Sequence, residues 1–230
     1  MRVRIVGAVF WILFCLTGTG WAEVYGRFVP NGKQVALTFD ACETKTPSFF
    51  DTVILDYIKS EQLPVTFFLS GWFAQRNASH VEEIAKLPFV EIENHSESHV
   101  ANMEKLTPEE IRSELQKNED RLVHLTGWKP RFFRFPAGNF DPAALKVVEE
   151  MGYIVTHWAF PSGDPDKKLT PEALTAGVLG RVQPGDILIF HINGRGWSTG
   201  LALQGIVSEL RKRGYSFVRL RDIPQSSFRP

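Results

Sequence analysis

The stretch Ile92-Glu93-Asn94-His95-Ser96-Glu97-Ser98-His99 sets two of the chain's six histidines four residues apart, directly after a short apolar run. If Ser96 to His99 form a helical turn, both imidazoles lie on one face, at a spacing that metal ligands use. One packed ring beside one solvated ring explains such a pair equally well. The surrounding sequence has to decide.

Outward from this pair, short β-branched or aromatic runs alternate with longer amphipathic stretches, the pattern of a parallel sheet with crossover helices. Strands are predicted at Val35 to Phe39, Val65 to Leu69, Val90 to Glu93, Arg131 to Arg134, Tyr153 to Trp158, Ile187 to Phe190 and Ser216 to Arg219. Helices are predicted between them, from about Pro47 to Lys59, Ser79 to Lys86, Thr107 to Leu125, Asp141 to Glu150, Thr170 to Val182 and Leu201 to Arg213. The clearest helix start is Thr107-Pro108-Glu109-Glu110, which offers an N-cap, a proline at N1 and a glutamate at N3. Seven βα units favour an α/β fold of the distorted (β/α) barrel type over an open doubly wound sheet.

In parallel α/β folds the functional groups gather beyond the carboxyl ends of the strands. Just past those ends stand Asp40, His95 with His99, Arg134, Trp158 with Asp164, and His191. Each alone has an ordinary explanation: Asp40 as a helix cap, Arg134 in a surface pair, His191 as a satisfied ring near the core. Their joint placement after five different strands does not. Two neutral imidazoles can hold a divalent metal with positions open to water and substrate. A neighbouring carboxylate can act as general base, and an imidazole opposite can protonate a leaving amine. No Gly-x-Ser-x-Gly elbow is present to supply a serine nucleophile.

The remainder of the chain sets limits. Arg2 and Arg4, the apolar run Val6 to Leu16 and Gly20-Trp21-Ala22 read as a signal peptide over residues 1 to 22, with one catalytic domain over 23 to 230. The apolar run is shorter than the roughly 20 residues a membrane-spanning helix needs. Export to the periplasm or medium is therefore expected, with no stable membrane insertion. Lysine plus arginine and aspartate plus glutamate both number 26, a balance that asks for no nucleic acid partner. Cys42 is the one cysteine left after cleavage, so no intrachain disulfide is expected.

On these residues the chain resembles the polysaccharide deacetylase family, the NodB homology fold of carbohydrate esterase family 4, from about Lys33 to Leu220. Thr38-Phe39-Asp40-Ala41 is similar to the family's Thr-Phe-Asp-Asp motif, and His95-Ser96-Glu97-Ser98-His99 fits its His-Ser/Thr-x-x-His motif. Arg134-Phe135-Pro136-Ala137-Gly138 resembles the Arg-x-Pro-aromatic-Gly motif, Trp158 with Asp164 the fourth, and Ile189-Phe190-His191 the Leu-x-His motif.

The resemblance implies a metal-dependent hydrolase that removes acetyl groups from an N- or O-acetylated polysaccharide, such as peptidoglycan or a chitin-like glycan. It makes Asp40 the base toward the metal's water, and His95 and His99 metal ligands. Arg134 would orient Asp40, and His191 would be the acid, partnered by Asp164 with Asp166 in reserve. The metal would be zinc, or else cobalt, manganese or nickel. Pro136, Trp158 and Trp197 are the expected substrate contacts.

Two positions depart from the family pattern. Ala41 stands where the family has its third metal ligand, so Asp40, or after it Glu43, would have to complete the shell. Ala137 stands where an aromatic usually lines the sugar groove. The first departure opens an alternative, a catalytically silent member that binds glycan or cell wall; hydrolysis of another C–N bond is a further one.

Overall fold

Strand and helix alternate from Gln34 onward, as the hydrophobic pattern requires. The computed structural model describes residues 23–43 and 49–230. The expected leader, residues 1 to 22, and the expected helix start at Pro47 lie outside them. The first half of the chain runs β1 (Arg27–Phe28), β2 (Gln34–Ala41), α1 (Thr52–Ser60), β3 (Val65–Leu69), α2 (Gly71–Arg76), α3 (Ala78–Ile84), β4 (Val90–Asn94) and α4 (Pro108–Thr126). The second half runs β5 (Phe132–Phe133), α5 (Pro142–Glu150), β6 (Ile154–Val155), α6 (Pro171–Leu179), β7 (Ile187–His191), α7 (Thr199–Lys212), β8 (Ser216–Val218) and β9 (Phe228–Arg229).

The main sheet has seven strands in the order β6-β5-β4-β3-β2-β7, with β8 added alongside β2. Every pairing in it is parallel. It curls into a half-barrel of the NodB type. Along β2 the side chains alternate as a two-residue period demands. Val35, Leu37, Phe39 and Ala41 enter the large core under the helices, while Ala36 packs with Phe68, Phe132 and Ile187 on the barrel side. Each fully buried aliphatic or aromatic side chain contributes about 1.5–3 kcal/mol.

The gap between the edge strands β6 and β7 is spanned by the segment leading into β1. Tyr25 N donates to Val155 O at 3.0 Å and His157 N to Tyr25 O at 2.8 Å; on the other side Ile187 N donates to Gly26 O and Phe28 N to Gly185 O. These bonds satisfy edge groups that would otherwise stand open. The sequence patterns do not announce this closure, because Tyr25 to Phe28 is too short to show a period.

The capped helix starts as predicted. Thr107 Oγ1 accepts from Glu110 N, and the Glu110 carboxylate accepts from Thr107 N, closing the capping box. Gly127, at φ +84°, ends the helix in the left-handed region. Three expectations change. The helix expected at Ser79 to Lys86 is preceded by a separate one, α2, and the fifth strand shrinks to Ile154–Val155 because its continuation bonds the Tyr25 segment. The turn from Ser96 to His99 is not helical: Ser96 and His99 have φ of +65° and +55°. Local side-chain bonds replace the helical ladder, with Ser96 N donating to Asn94 Oδ1 and His99 N to Ser96 Oγ.

Candidate functional site

Strand register brings the rim residues together. Asp40 and His191 are paired positions on β2 and β7, and Asn94, just before His95, is paired with Phe133, just before Arg134. Asp40, His95, His99, Ala137, Trp158, Asp164, His191 and Arg195 are among the residues lining a cavity of about 280 Å³ at this rim.

Arg134 is fully buried beneath the cavity. Its Nη1 donates to Thr38 Oγ1 at 2.8 Å and to Asp40 Oδ1 at 2.7 Å, and its Nη2 donates to the His157 carbonyl. The guanidinium also lies over the Phe68 ring, 4.2 Å from its centroid. Burial by itself would raise the Asp40 carboxyl; Arg134, with His95 and His191, overrides it and holds the group below its ordinary value. Asp40 is therefore ionised at neutral pH.

His95 Nδ1 lies 2.8 Å from the Arg134 carbonyl oxygen. A carbonyl only accepts, so Nδ1 carries the proton and Nε2 keeps its lone pair. Nε2 is 3.6 Å from Asp40 Oδ2, the oxygen Arg134 leaves free. The His99 ring sits edge-on to His95 with centroids 4.9 Å apart. Burial lowers both imidazoles, opposed at each by Asp40, and takes His99 down to about 3 with help from His95 and Arg195. Both rings are neutral at physiological pH, the state in which imidazole binds metal.

His95, His99 and Asp40 bring together donor types that divalent cations take, two neutral imidazoles and a carboxylate. The set is not a finished cage: among the described residues no group of three His, Cys, Asp or Glu side chains could hold a metal ion as placed. Ala41 is fully buried in the helix-side core. Glu43 is ion-paired with Arg76.

Across the cavity, His191 Nδ1 is 2.9 Å from Asp164 Oδ1 and donates to it, leaving Nε2 as the exchangeable position. Asp164 is buried and also accepts from His191 N, Thr199 Oγ1 and Ser162 Oγ. Asp166, the reserve candidate, accepts from Lys168 N on the exposed side of that loop. Gly196 is required here, since a Cβ on it would come within 2.5 Å of the His191 carbonyl and 2.8 Å of Asp164 Oδ2.

The three expected substrate contacts separate. Trp158 lines the cavity, stacked on His157 at 3.7 Å. Pro136 is buried, and Ala137, at φ +56°, is the residue of that turn that lines the cavity. Trp197 is exposed on the outer rim under the Lys167 ammonium, 4.4 Å from the ring centroid.

Sequence reading missed how the histidine loop is held. Glu114 accepts from both Ser98 N and Ser98 Oγ at 2.8 Å, Asn118 Nδ2 donates to Asn94 Oδ1, and Arg121 pairs with Glu97 at 2.7 Å. These three stand at i, i+4 and i+7 on α4, one face of the helix. A polar stripe on an otherwise amphipathic helix was the available signal. On the other side Gly71 N and Trp72 N donate to the Ser96 and Glu97 carbonyls. A Cβ on Gly71 would lie 1.7 Å from Glu97 Oε2, so any larger residue would push the Glu97 carboxylate from its place.

Known proteins share this chain's sequence pattern and fold. The polysaccharide deacetylase family profile matches residues 29–156. A peptidoglycan-N-acetylglucosamine deacetylase of Bacillus cereus is 33% identical over 217 residues, covering 92% of this chain and 76% of the relative. A crystal structure of a peptidoglycan N-acetylglucosamine deacetylase bound to a naphthalenyl N-hydroxybenzamide superposes with a TM-score of 0.79 at 31% identity, covering 90% of this chain and 96% of that one. A family 4 acetyl xylan esterase from Clostridium thermocellum, solved with a cobalt ion, gives 0.72 at 26%, covering 83% and 89%. A family 4 pseudoenzyme from Bacillus anthracis gives 0.75 at 26%, covering 86% and 67%. The chain belongs to the polysaccharide deacetylase family.

Proposed function

We propose that residues 23 to 230 form an exported, metal-dependent hydrolase that removes acetyl groups from an N-acetylated polysaccharide of the cell-wall type. The observation that carries this reading is the pairing of Asp40 and His191 on adjacent strands, each held from behind by its own buried partner, Arg134 and Asp164. A binding module has no use for a base and an acid so arranged. Export rests on the basic and apolar leader at residues 1 to 22, and among the described residues no helix is long and apolar enough to cross a membrane.

His95, His99 and Asp40 would hold the cation, zinc or cobalt by the donor types. When bound, it supplies Lewis-acid activation of the acetyl carbonyl and of water. The protein's own residues move the protons. Asp40, ionised by Arg134, takes a proton from the water that adds to the carbonyl. His191 Nε2 gives a proton to the sugar nitrogen as the C–N bond breaks, and Asp164 stabilises the ring while it carries charge. Acetate and the free amino sugar leave.

The test is acetate release from N-acetylated oligosaccharides by the purified protein supplied with zinc or cobalt. Release that stops on chelation and returns with metal is expected. With metal demonstrably bound, no release from any acetylated glycan would overturn the reading. The buried Ala41 and the likeness to a pseudoenzyme favour a second one, glycan binding without turnover. That reading requires binding that survives Asp40→Ala and His191→Ala in a parent that releases no acetate.

A further inference from the structure

Both carboxylates of the cavity have side-chain partners. Asp40 is met by Arg134, and Asp164 by His191 and two hydroxyl groups. Arg195 also lines the cavity, yet no carboxylate among the described residues pairs with it. Its neighbours are the Cys42 sulfur, 4.0 Å from Nη1, and His99, whose ring it helps to keep neutral. Burial pushes the Cys42 thiol up, so it offers no countercharge at neutral pH.

The turn that presents Arg195 is anchored on both sides. Asn193 Nδ2 donates to the Cys42 carbonyl at 2.5 Å, and Arg195 N donates back to Asn193 Oδ1. Gly194 supplies the left-handed residue at φ +80°, and Gly196 is wedged against the His191 carbonyl and Asp164. The guanidinium stem therefore leaves from a fixed backbone beside the two histidines. An anchored cation at a substrate cavity loses little freedom when it engages an anion. A second cation, Lys167, stands on the outer rim over Trp197, with Asp166 beside it in the chain.

We propose that Arg195 is an anion-recognition residue, and that the acetylated saccharide taken by this site carries a carboxylate close to the acetamide. The guanidinium fork matches a carboxylate in two parallel hydrogen bonds. A single negative charge suits a cavity that already holds Asp40 and Asp164, where a more highly charged group would meet repulsion. The acid belongs either to a substituent on the acetylated sugar itself or to the ring of the adjoining sugar. This inference rests on the hydrolase reading for its substrate class, and its test has a readout that does not need turnover.

Matched N-acetylated disaccharides are compared as the free acid and as the carboxamide, with the acid on the acetylated sugar in one pair and on its neighbour in the other. Binding to the metal-loaded protein is measured by calorimetry and hydrolysis by acetate release. The parent is expected to prefer the acid of one pair by roughly tenfold in Kd and in KM, the scale of a charge-assisted hydrogen bond that remains partly solvated. Arg195→Ala brings that ratio close to one, Arg195→Lys keeps part of it, and Arg195→Glu reverses it, with thermal unfolding reporting that each variant is folded. No acid preference in the parent for either pair, or one that survives Arg195→Ala, overturns the proposal. Arg195-dependent preference in binding leaves this inference standing even if no acetylated glycan releases acetate, the outcome that sinks the hydrolase reading. Equal acetate release from acid and carboxamide does the reverse.

Discussion

Asp40 and His191 are register partners on neighbouring parallel strands, and the cavity lies at the rim where both strands end. Each is oriented by a residue far away in the chain: Arg134 bonds the Asp40 oxygen that does not face His95, and Asp164 accepts the hydrogen bond from His191 Nδ1. One carboxylate is thereby kept ionised and one imidazole kept in a single tautomer.

Asp40→Asn keeps the shape of the site and removes the proposed base. Its kcat for acetate release is expected to fall by about 10²–10⁴-fold. A kcat within tenfold of the parent would sink the assignment.

Arg134 and Asp40 are both buried, so removing one partner strands a charge. Arg134→Met is expected to cost about 3–5 kcal/mol in urea unfolding, and Arg134→Met with Asp40→Asn less than the sum of the two single changes. Strict additivity would show that the pair is not coupled.

The polar face of α4 holds the loop that carries both histidines. Glu114→Ala is expected to weaken zinc binding by about 10–100-fold while Glu114→Gln loses less, since shifts of outer partners carry that scale of effect. Calorimetric metal titration checks it, and unchanged affinity in Glu114→Ala would mean that the loop is held without α4.

Glu93 shares the barrel interior with Glu91, and its Oε2 accepts from Arg131 N and Phe132 N at 2.7 Å. Burial, then the charge of Glu91, raises the Glu93 carboxyl well above its ordinary value. The native state thus holds a proton that the unfolded chain releases above about 4.5. The associated stability is full below that pH and is lost as pH rises toward the raised native value, by up to about 1.4 kcal/mol per pH unit. Glu93→Gln keeps the acceptor and abolishes this loss. Urea unfolding at pH 5 and pH 8 should show the variant gaining on the parent at the higher pH; parallel slopes would refute it.

Much of the site was legible because its residues follow directly on short apolar runs. Asp40, His95, Arg134 and His191 each end or follow a strand whose period is plain, and the resemblance to the deacetylase family follows from their order. The helix caps at Thr107 and Thr170 were legible for a similar reason, since capping bonds span only three residues. The turn at Ser96 to His99 was not. Its histidine spacing suits a helix, and non-local bonds from Glu114, Arg121 and the Gly71–Trp72 backbone, with Asn94 and Ser96, hold it in another shape. Helix α2 was missed because six residues, Gly71–Arg76, are too few to show a helical period.

By itself the sequence determined which residues stand at the strand ends and in what order, because strand and helix periods are local properties. The tertiary structure alone decided their partners. Asp40 and Arg134 are 94 positions apart, His191 and Asp164 are 27, and the Cys42 carbonyl that anchors the Arg195 turn lies 151 from Asn193. Such contacts are set by how the sheet curls and in what register its strands pair, which no local pattern encodes.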